Sequence, residues 1–347
     1  MRSVASRLVV DGLSIAAQTW RVASPSAASS SAKQQNILCL HGWLDNSNTF
    51  ARLGPYLAEN LVGSTVVAID LPGHGHSQHT SGHFQHVRSV GIVKEVLERL
   101  GWDAGSTSLV GHSMGGGISL LFAGTFPEAL RRVVLIDAFG PFTSSPDRAP
   151  ADLRKFLTAC RGVYPHDAPL PPAPPKLYKS LADGISARVR IVSTYPGEQS
   201  ISREAAEAIV RRGARYCPQE TAAAGVGGQE ESAGEGEGED ETGSLVIAED
   251  QGPIAFRYDP RLLLPSPTYL SVAQVDAFCA AITCSVLVVQ AERGWPASAE
   301  DFATRKALLE AKGLLQIVRL PGSHHLHLDP ETGAAVGECV ARFLAAE

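Results

Sequence analysis

The heptapeptide Leu109-Val110-Gly111-His112-Ser113-Met114-Gly115 sets a serine between two glycines at the end of an apolar, β-prone run. A strand that breaks into a sharp turn and passes at once into a helix strains its central residue and crowds the flanking positions, where glycine fits. Such an elbow lifts the Ser113 hydroxyl clear of the sheet. It also sets the Met114 backbone N–H at a helix N-terminus, where negative charge is stabilised. The chemistry this suits is attack by the hydroxyl on a carbonyl carbon, and at neutral pH that needs an imidazole to take the proton. Three candidates stand in Pro321-Gly322-Ser323-His324-His325-Leu326-His327-Leu328-Asp329-Pro330. His324, directly after the Gly-Ser turn, is the expected base, His325 is the alternative, and His327 reads as a packing or capping residue.

Acyl chemistry also needs a second oxyanion donor from a separate loop. The stretch Leu40-His41-Gly42-Trp43-Leu44-Asp45 follows an apolar strand and turns on glycine, so the Trp43 N–H is expected to join that of Met114. His41, Gly42, His112, Phe139 and Trp295 are expected to contact substrate. The acid that orients the histidine is expected after the strand Ser285 to Gln290, but Ala291-Glu292-Arg293-Gly294-Trp295 puts Gly294 at that place. Two carboxylates can substitute: Asp137, just beyond the strand Val133 to Ile136, and Glu292. Asp137 is preferred, because the ends of neighbouring parallel strands open on one crevice. Its competing role is that of a local turn cap.

The elements that must hold these residues alternate. Leu8 to Val10 and Ile15 to Trp20 form a hairpin at Asp11-Gly12. Asn36 to Leu40, Thr65 to Ile69, Ser108 to Val110, Arg132 to Ile136, Ser285 to Gln290 and Leu315 to Arg319 read as strands, with helical stretches such as Ile92 to Leu100 between them. The pattern predicts an α/β fold: a mostly parallel, doubly wound sheet, with a mainly helical lid inserted after the sixth strand. The domain plan is a core over 1–141, a lid over 142–275 and a second core segment over 276–347. Within the lid, Pro169 to Pro175 reads as extended polyproline and Glu204 to Arg212 as a helix. The acidic Gly/Glu tract over 222–244 cannot bury enough apolar surface to order itself and is expected to be disordered. The tract Ala23 to Ala32 reads as a surface loop.

The chain has 347 residues, enough for one large core with an insertion, and its net charge of −6 comes partly from the acidic tract. No basic stripe points to nucleic acid, and no apolar run reaches membrane-spanning length. Six cysteines without a C-x-x-C pair read as reduced thiols. A cytoplasmic protein is the default, with import into an organelle left open. His74, His76, His79, His83 and His86 have no cysteine or carboxylate beside them to complete a metal site and read as polar loop residues. No metal or cofactor is expected, and the oligomeric state is open.

The motifs LHGWLDN (Leu40 to Asn46), IDLPGHGHS (Ile69 to Ser77), LVGHSMGG (Leu109 to Gly116) and PGSHHLHLDP (Pro321 to Pro330) resemble the α/β-hydrolase superfamily. In detail the chain is similar to the serine hydrolase-like proteins of the epoxide hydrolase and C–C hydrolase branch. The likeness extends into the lid, through EAAEAIVRRGARYC and FRYDPRLLLPSP. The resemblance implies a serine hydrolase and carries over Ser113 as nucleophile and His324 as base, while the acid stays open. A serine in place of the aspartate nucleophile of epoxide hydrolases and haloalkane dehalogenases points to an ester or thioester, through an acyl-serine. A ligand-binding relative with weak or lost turnover is the alternative.

Overall fold

The computed structural model describes residues 1–22, 35–80, 86–163, 175–217, 237–239, 245–247, 252–296 and 298–346. The expected Ala23 to Ala32 loop, residues 169–174 of the polyproline segment and His83 lie outside them.

Strands β1 (Val4–Val10) and β2 (Leu13–Trp20) form the antiparallel hairpin, turning on Asp11 and Gly12 at positive φ of 49° and 70°. Then come β3 (Asn36–Leu40), α1 (Leu53–Asn60), β4 (Thr65–Ile69), α2 (His86–Leu100), β5 (Thr107–His112), α3 (Met114–Thr125) and β6 (Arg132–Ile136). The lid follows, with α4 (Ala149–Val163), β7 (Leu177–Tyr178), α5 (Leu181–Val192), α6 (Arg203–Gly213), β8 (Ala214–Tyr216), β9 (Glu237–Glu239), β10 (Leu245–Ile247) and β11 (Ile254–Phe256). The chain returns to the core through α7 (Val272–Ala281), β12 (Ser285–Arg293), α8 (Ala299–Glu310), β13 (Leu315–Ser323) and α9 (Gly333–Ala345).

The large sheet runs β1-β2-β4-β3-β5-β6-β12-β13, parallel from β4 to β13 and antiparallel at the β1 and β2 edge. Every residue of β3, β5 and β6 is buried, as expected where both faces of a parallel sheet are covered. One face packs on α2, α3 and α7 through Val93, Val96, Ile118, Phe122, Val275 and Cys279. The other packs on α1 and α9 through Leu53, Leu57, Val340 and Phe343. This is the doubly wound sheet the sequence predicts. Helix α7, whose first residues fall within the expected lid range, packs in the core cluster.

The lid has a core of its own, with Leu181, Ile185, Ile209, Val210 and Ile254 at its centre. It is less purely helical than expected, since β11 pairs antiparallel with both β7 and β8. Inside the acidic tract, β9 pairs antiparallel with β10, so these three residues depart from an unstructured tract. The rest of 222–244 lies outside the described residues.

Two buried ion pairs fasten lid to core. Arg212 of α6 grips Asp70 at the end of β4, with Nε 3.1 Å from each carboxylate oxygen and a terminal nitrogen 2.9 Å from Oδ2. Arg188 of α5 pairs with Asp45 on the loop after β3. Asn46 and Asn48 of that segment donate to the Ile209 and Ala208 carbonyls at 2.8 and 3.0 Å, which ties the flank of α6 to the core.

Candidate active site

Ser113 sits between β5 and α3 at φ 52° and ψ −117°, a strained backbone for a residue with a side chain. Its N–H donates to Ile136 O at 3.1 Å, which ties the turn to the end of β6. The flanking glycines answer to sterics. A Cβ on Gly111 would lie 2.3 Å from Gly115 O, and one on Gly115 would lie 2.0 Å from Leu40 O.

The next residue of β6's end, Asp137, is also left-handed, with φ 45°. Its N–H donates to Val289 O at 2.7 Å. Oδ1 accepts the Ala291 N–H at 3.1 Å and Oδ2 accepts the Trp295 N–H at 2.8 Å. Oδ2 also lies 2.6 Å from His324 Nδ1, and His324 Nε2 lies 2.8 Å from Ser113 Oγ. The carboxylate accepts only, so Nδ1 carries the proton and Nε2 presents its lone pair to the serine hydroxyl. Ser113, His324 and Asp137 therefore meet in one hydrogen-bonded line.

The electrostatics suit proton transfer. Burial opposes ionisation of Asp137, but the hydrogen bond and charge of His324, with the Trp295 and Ala291 amides, outweigh it and hold the carboxyl below its ordinary range. Burial pulls the His324 imidazole below its ordinary value, against the opposing pull of Asp137. A neutral imidazole thus faces an ionised carboxylate at neutral pH.

The other candidates fall elsewhere. Glu292 is exposed and its backbone carbonyl accepts from Arg319 at 3.1 Å, whereas the carboxylate that reaches His324 is that of Asp137. His325 Nε2 is 3.3 Å from Asp45 Oδ2, and His327 Nε2 is 3.0 Å from Thr49 Oγ1, which leaves His324 alone beside the serine. His41 was expected at the substrate but is fully buried, with Nδ1 2.7 Å from Gly42 O and Nε2 accepting the Leu71 N–H at 2.9 Å. Both ring nitrogens are committed to backbone, so it holds the loop instead. His112 is buried as well, donating from Nε2 to His324 O at 2.9 Å, which makes it a support beneath the imidazole rather than a substrate contact. Gly42 gives those rings room: a Cβ there would lie 3.0 Å from His112 Nδ1 and 3.1 Å from Asp45 Oδ2. Phe139 is buried in the core cluster, its ring 5.0 Å from that of Phe302. Trp295 does border the site. Its ring lies 5.4 Å from that of His324, with exposed Phe142 at 5.7 Å on another side.

Several residues that shape the site went unread in the sequence. Asp45 is buried among Arg188, His325 and His112, whose Nδ1 is 3.6 Å from Oδ2. Burial opposes its ionisation, yet Arg188 and His325 hold the carboxyl well below the usual carboxylate range. Asp45, His112 and His325 bring ligand-type atoms within 4.8 Å of one another, and the cation that Asp45 receives there is the Arg188 guanidinium. Arg212 had one signal: it shares the helical stripe of Ala205 and Ile209, where a charge implies a buried partner.

Comparison with known proteins agrees with this architecture. The family described as alpha/beta hydrolase fold matches residues 35–174. A serine hydrolase-like protein of Dictyostelium discoideum is 27% identical, over 96% of this chain and 79% of its own length. One from Danio rerio is 26% identical, over 89% of this chain and 81% of its own. The crystal structure of a hypothetical protein from Pseudomonas aeruginosa superposes with a TM-score of 0.72 at 33% identity, covering 99% of this chain and all of that one. The chain belongs to the α/β-hydrolase superfamily, with the serine hydrolase-like proteins as its relatives.

Proposed function

We propose that this hydrolase cleaves an ester or thioester of a small molecule through an acyl-serine intermediate. The observation that carries the reading is the continuous line from Ser113 Oγ to His324 Nε2 at 2.8 Å and from His324 Nδ1 to Asp137 Oδ2 at 2.6 Å. His324 takes the hydroxyl proton as Ser113 Oγ attacks the acyl carbon. It returns that proton to the departing alkoxide or thiolate, and then activates the water that releases the acid. Asp137 fixes the tautomer and stabilises the imidazolium that forms at each step.

The developing oxyanion is held by the N–H groups of Met114 and Trp43. Met114 begins α3, where the first N–H groups have no intrahelical acceptor. For Trp43 the support is indirect. The Gly42 carbonyl is held on one side by His41 Nδ1 at 2.7 Å and the Asp45 N–H at 3.2 Å. A trans peptide then turns the Trp43 N–H to the opposite side. Trp295 and Phe142 offer apolar surface for the acyl or leaving group. All six cysteines are free thiols, which favours a reducing compartment such as the cytoplasm.

A fluorophosphonate probe tests the reading. Labelling of the wild type at Ser113, abolished in Ser113→Ala and sharply reduced in His324→Ala, is the expected result. A folded wild type that is never labelled would overturn it and leave a ligand-binding relative as the description.

A further inference from the structure

We infer that Gln199, a lid residue, is a positioning residue for the proposed reaction: its side-chain amide buckles the loop that holds the acid to the loop that carries the base. The inference rests on the Ser113, His324 and Asp137 reading above.

Gln199 is only 4% exposed. Its Oε1 accepts the His324 backbone N–H at 2.9 Å. Its Nε2 faces three carbonyls, Gly294 at 2.9 Å, Pro196 at 3.0 Å and Gly197 at 3.1 Å. The amide orientation is forced, since reversing it would set an NH2 against a donor and an oxygen against carbonyl oxygens. Gly294 lies between Ala291 and Trp295, the residues whose N–H groups hold Asp137. The same His324 main chain is gripped on its carbonyl by His112 at 2.9 Å. Gln199 from the lid and His112 from the core thus restrain opposite sides of one residue, and Asp137 restrains its ring.

The rest of the strap supports this. The Ser323 hydroxyl donates to Ser200 O, and the Ser202 N–H donates to Asp329 Oδ1 at 2.9 Å, so lid residues flank the histidine turn on both sides. The Tyr195 ring lies 5.4 Å from that of Trp295. Gly197 has φ +88°, and a Cβ there would lie 3.0 Å from Pro296 Cδ, so the strap lies flush on the acid loop. Glutamine suits the place because it both donates and accepts. A misplacement of the base by a fraction of an ångström lowers turnover without weakening binding of a substrate that does not touch Gln199.

The test compares full-length wild type with Gln199→Met, which keeps the volume and loses both bonds, and Gln199→Glu, which keeps the acceptor. For Gln199→Met the expected result is a fall of about 10- to 100-fold in kcat for a p-nitrophenyl ester and in fluorophosphonate labelling rate, with KM within about threefold. The downfield proton NMR signal of His324 Nδ1–H, assigned by its loss in Asp137→Ala, is expected to broaden or vanish. A merely structural role would not move that signal in a folded variant. For Gln199→Glu, activity relative to wild type is expected to climb as pH falls, because the protonated carboxyl regains a donor for Gly294 O. A folded Gln199→Met with unchanged kcat and an unmoved signal overturns the inference. If that variant does not fold, a Gln199→Glu to wild-type ratio that is flat with pH overturns it instead. The proton signal needs no turnover, so its loss in Gln199→Met alongside an inactive wild type would sink the hydrolase reading and leave the positioning role standing.

Discussion

Gly294 makes room for Asp137: a Cβ at position 294 would lie 2.1 Å from Asp137 Oδ1. The carboxylate thus fills the space that a side chain from the loop after β12 would take, although it is borne by the end of β6. Gly294→Ala should push Asp137 off His324 and lower kcat on a p-nitrophenyl ester by about 100-fold, a loss typical of misplaced catalytic geometry. Wild-type kcat in a folded Gly294→Ala would show that the contact constrains nothing.

Removing the acid chemically should cost more. Asp137→Asn is expected to lower kcat by about 10⁴-fold, as the wrong histidine tautomer is favoured, while Glu292→Gln stays within about twofold of wild type. Paired with Asp137→Gly, Gly294→Asp should recover part of what Asp137→Gly alone loses. Equal losses in Asp137→Asn and Glu292→Gln would discard the assignment.

His41 holds the proposed oxyanion peptide through the Gly42 carbonyl, with Nδ1 2.7 Å away. Replacing it by phenylalanine frees the Gly42 carbonyl, and kcat should fall by about 10²-fold with KM little changed, near the effect of losing one oxyanion donor. Steady-state kinetics on a short ester decides this. A KM effect alone would return His41 to the substrate-binding role first expected of it.

The Asp70 and Arg212 pair is fully buried, so breaking it strands a charge. Arg212→Met should destabilise the protein by about 3–5 kcal/mol, measured by chemical denaturation at neutral pH. Asp70→Asn in that background should restore part of the loss, because the stranded carboxylate is gone.

Acid should weaken the fold well before the carboxylates titrate. Burial lowers His74 and His76 to about 3 and His325 to about 4, and it pulls His41 and His327 down in the same direction. The unfolded chain protonates these rings near their ordinary value of about 6.5, so their contribution is complete above that pH and drains away as pH falls toward about 3. Asp45, Asp70 and Asp137 are held below the ordinary carboxyl range and contribute stability above about 3.9 that is lost below it. Denaturation midpoints should therefore drop between pH 7 and pH 5. For activity, kcat/KM should rise with pH through a midpoint below the ordinary imidazole value, since the proposed base His324 acts in its deprotonated form.

The parallel strands were legible because each is a short apolar run bounded by turn residues, and the elbow was legible because steric crowding leaves glycine as the fitting choice at positions 111 and 115. The nearness of Asp137 to the serine turn was legible for a different reason: parallel order puts the ends of β5 and β6 side by side. Tertiary burial was not. His41 and His112 sit in motifs that read as site residues, yet nothing local reveals that both ring nitrogens of His41 and Nε2 of His112 engage backbone groups. The burial of Phe139 in the core was hidden for the same reason, since an aromatic just past a strand end can turn either to a crevice or to the core. Gln199, Arg188 and Asp45 act through partners more than ninety residues away in sequence, a distance that no periodicity reports.

Ser113 and Asp137 stand at the tips of adjacent strands, joined through the Ser113 N–H and Ile136 O, whereas His324 comes from a segment 211 residues beyond the serine. During synthesis the first two can find their places as soon as β5 and β6 zip together, long before the histidine leaves the ribosome. A nascent chain would therefore hold an inert alcohol and a waiting carboxylate until the turn after β13 seats itself. Competence to hydrolyse would then mark the completion of folding, and the onset of fluorophosphonate labelling during refolding would serve as a clock for that last event.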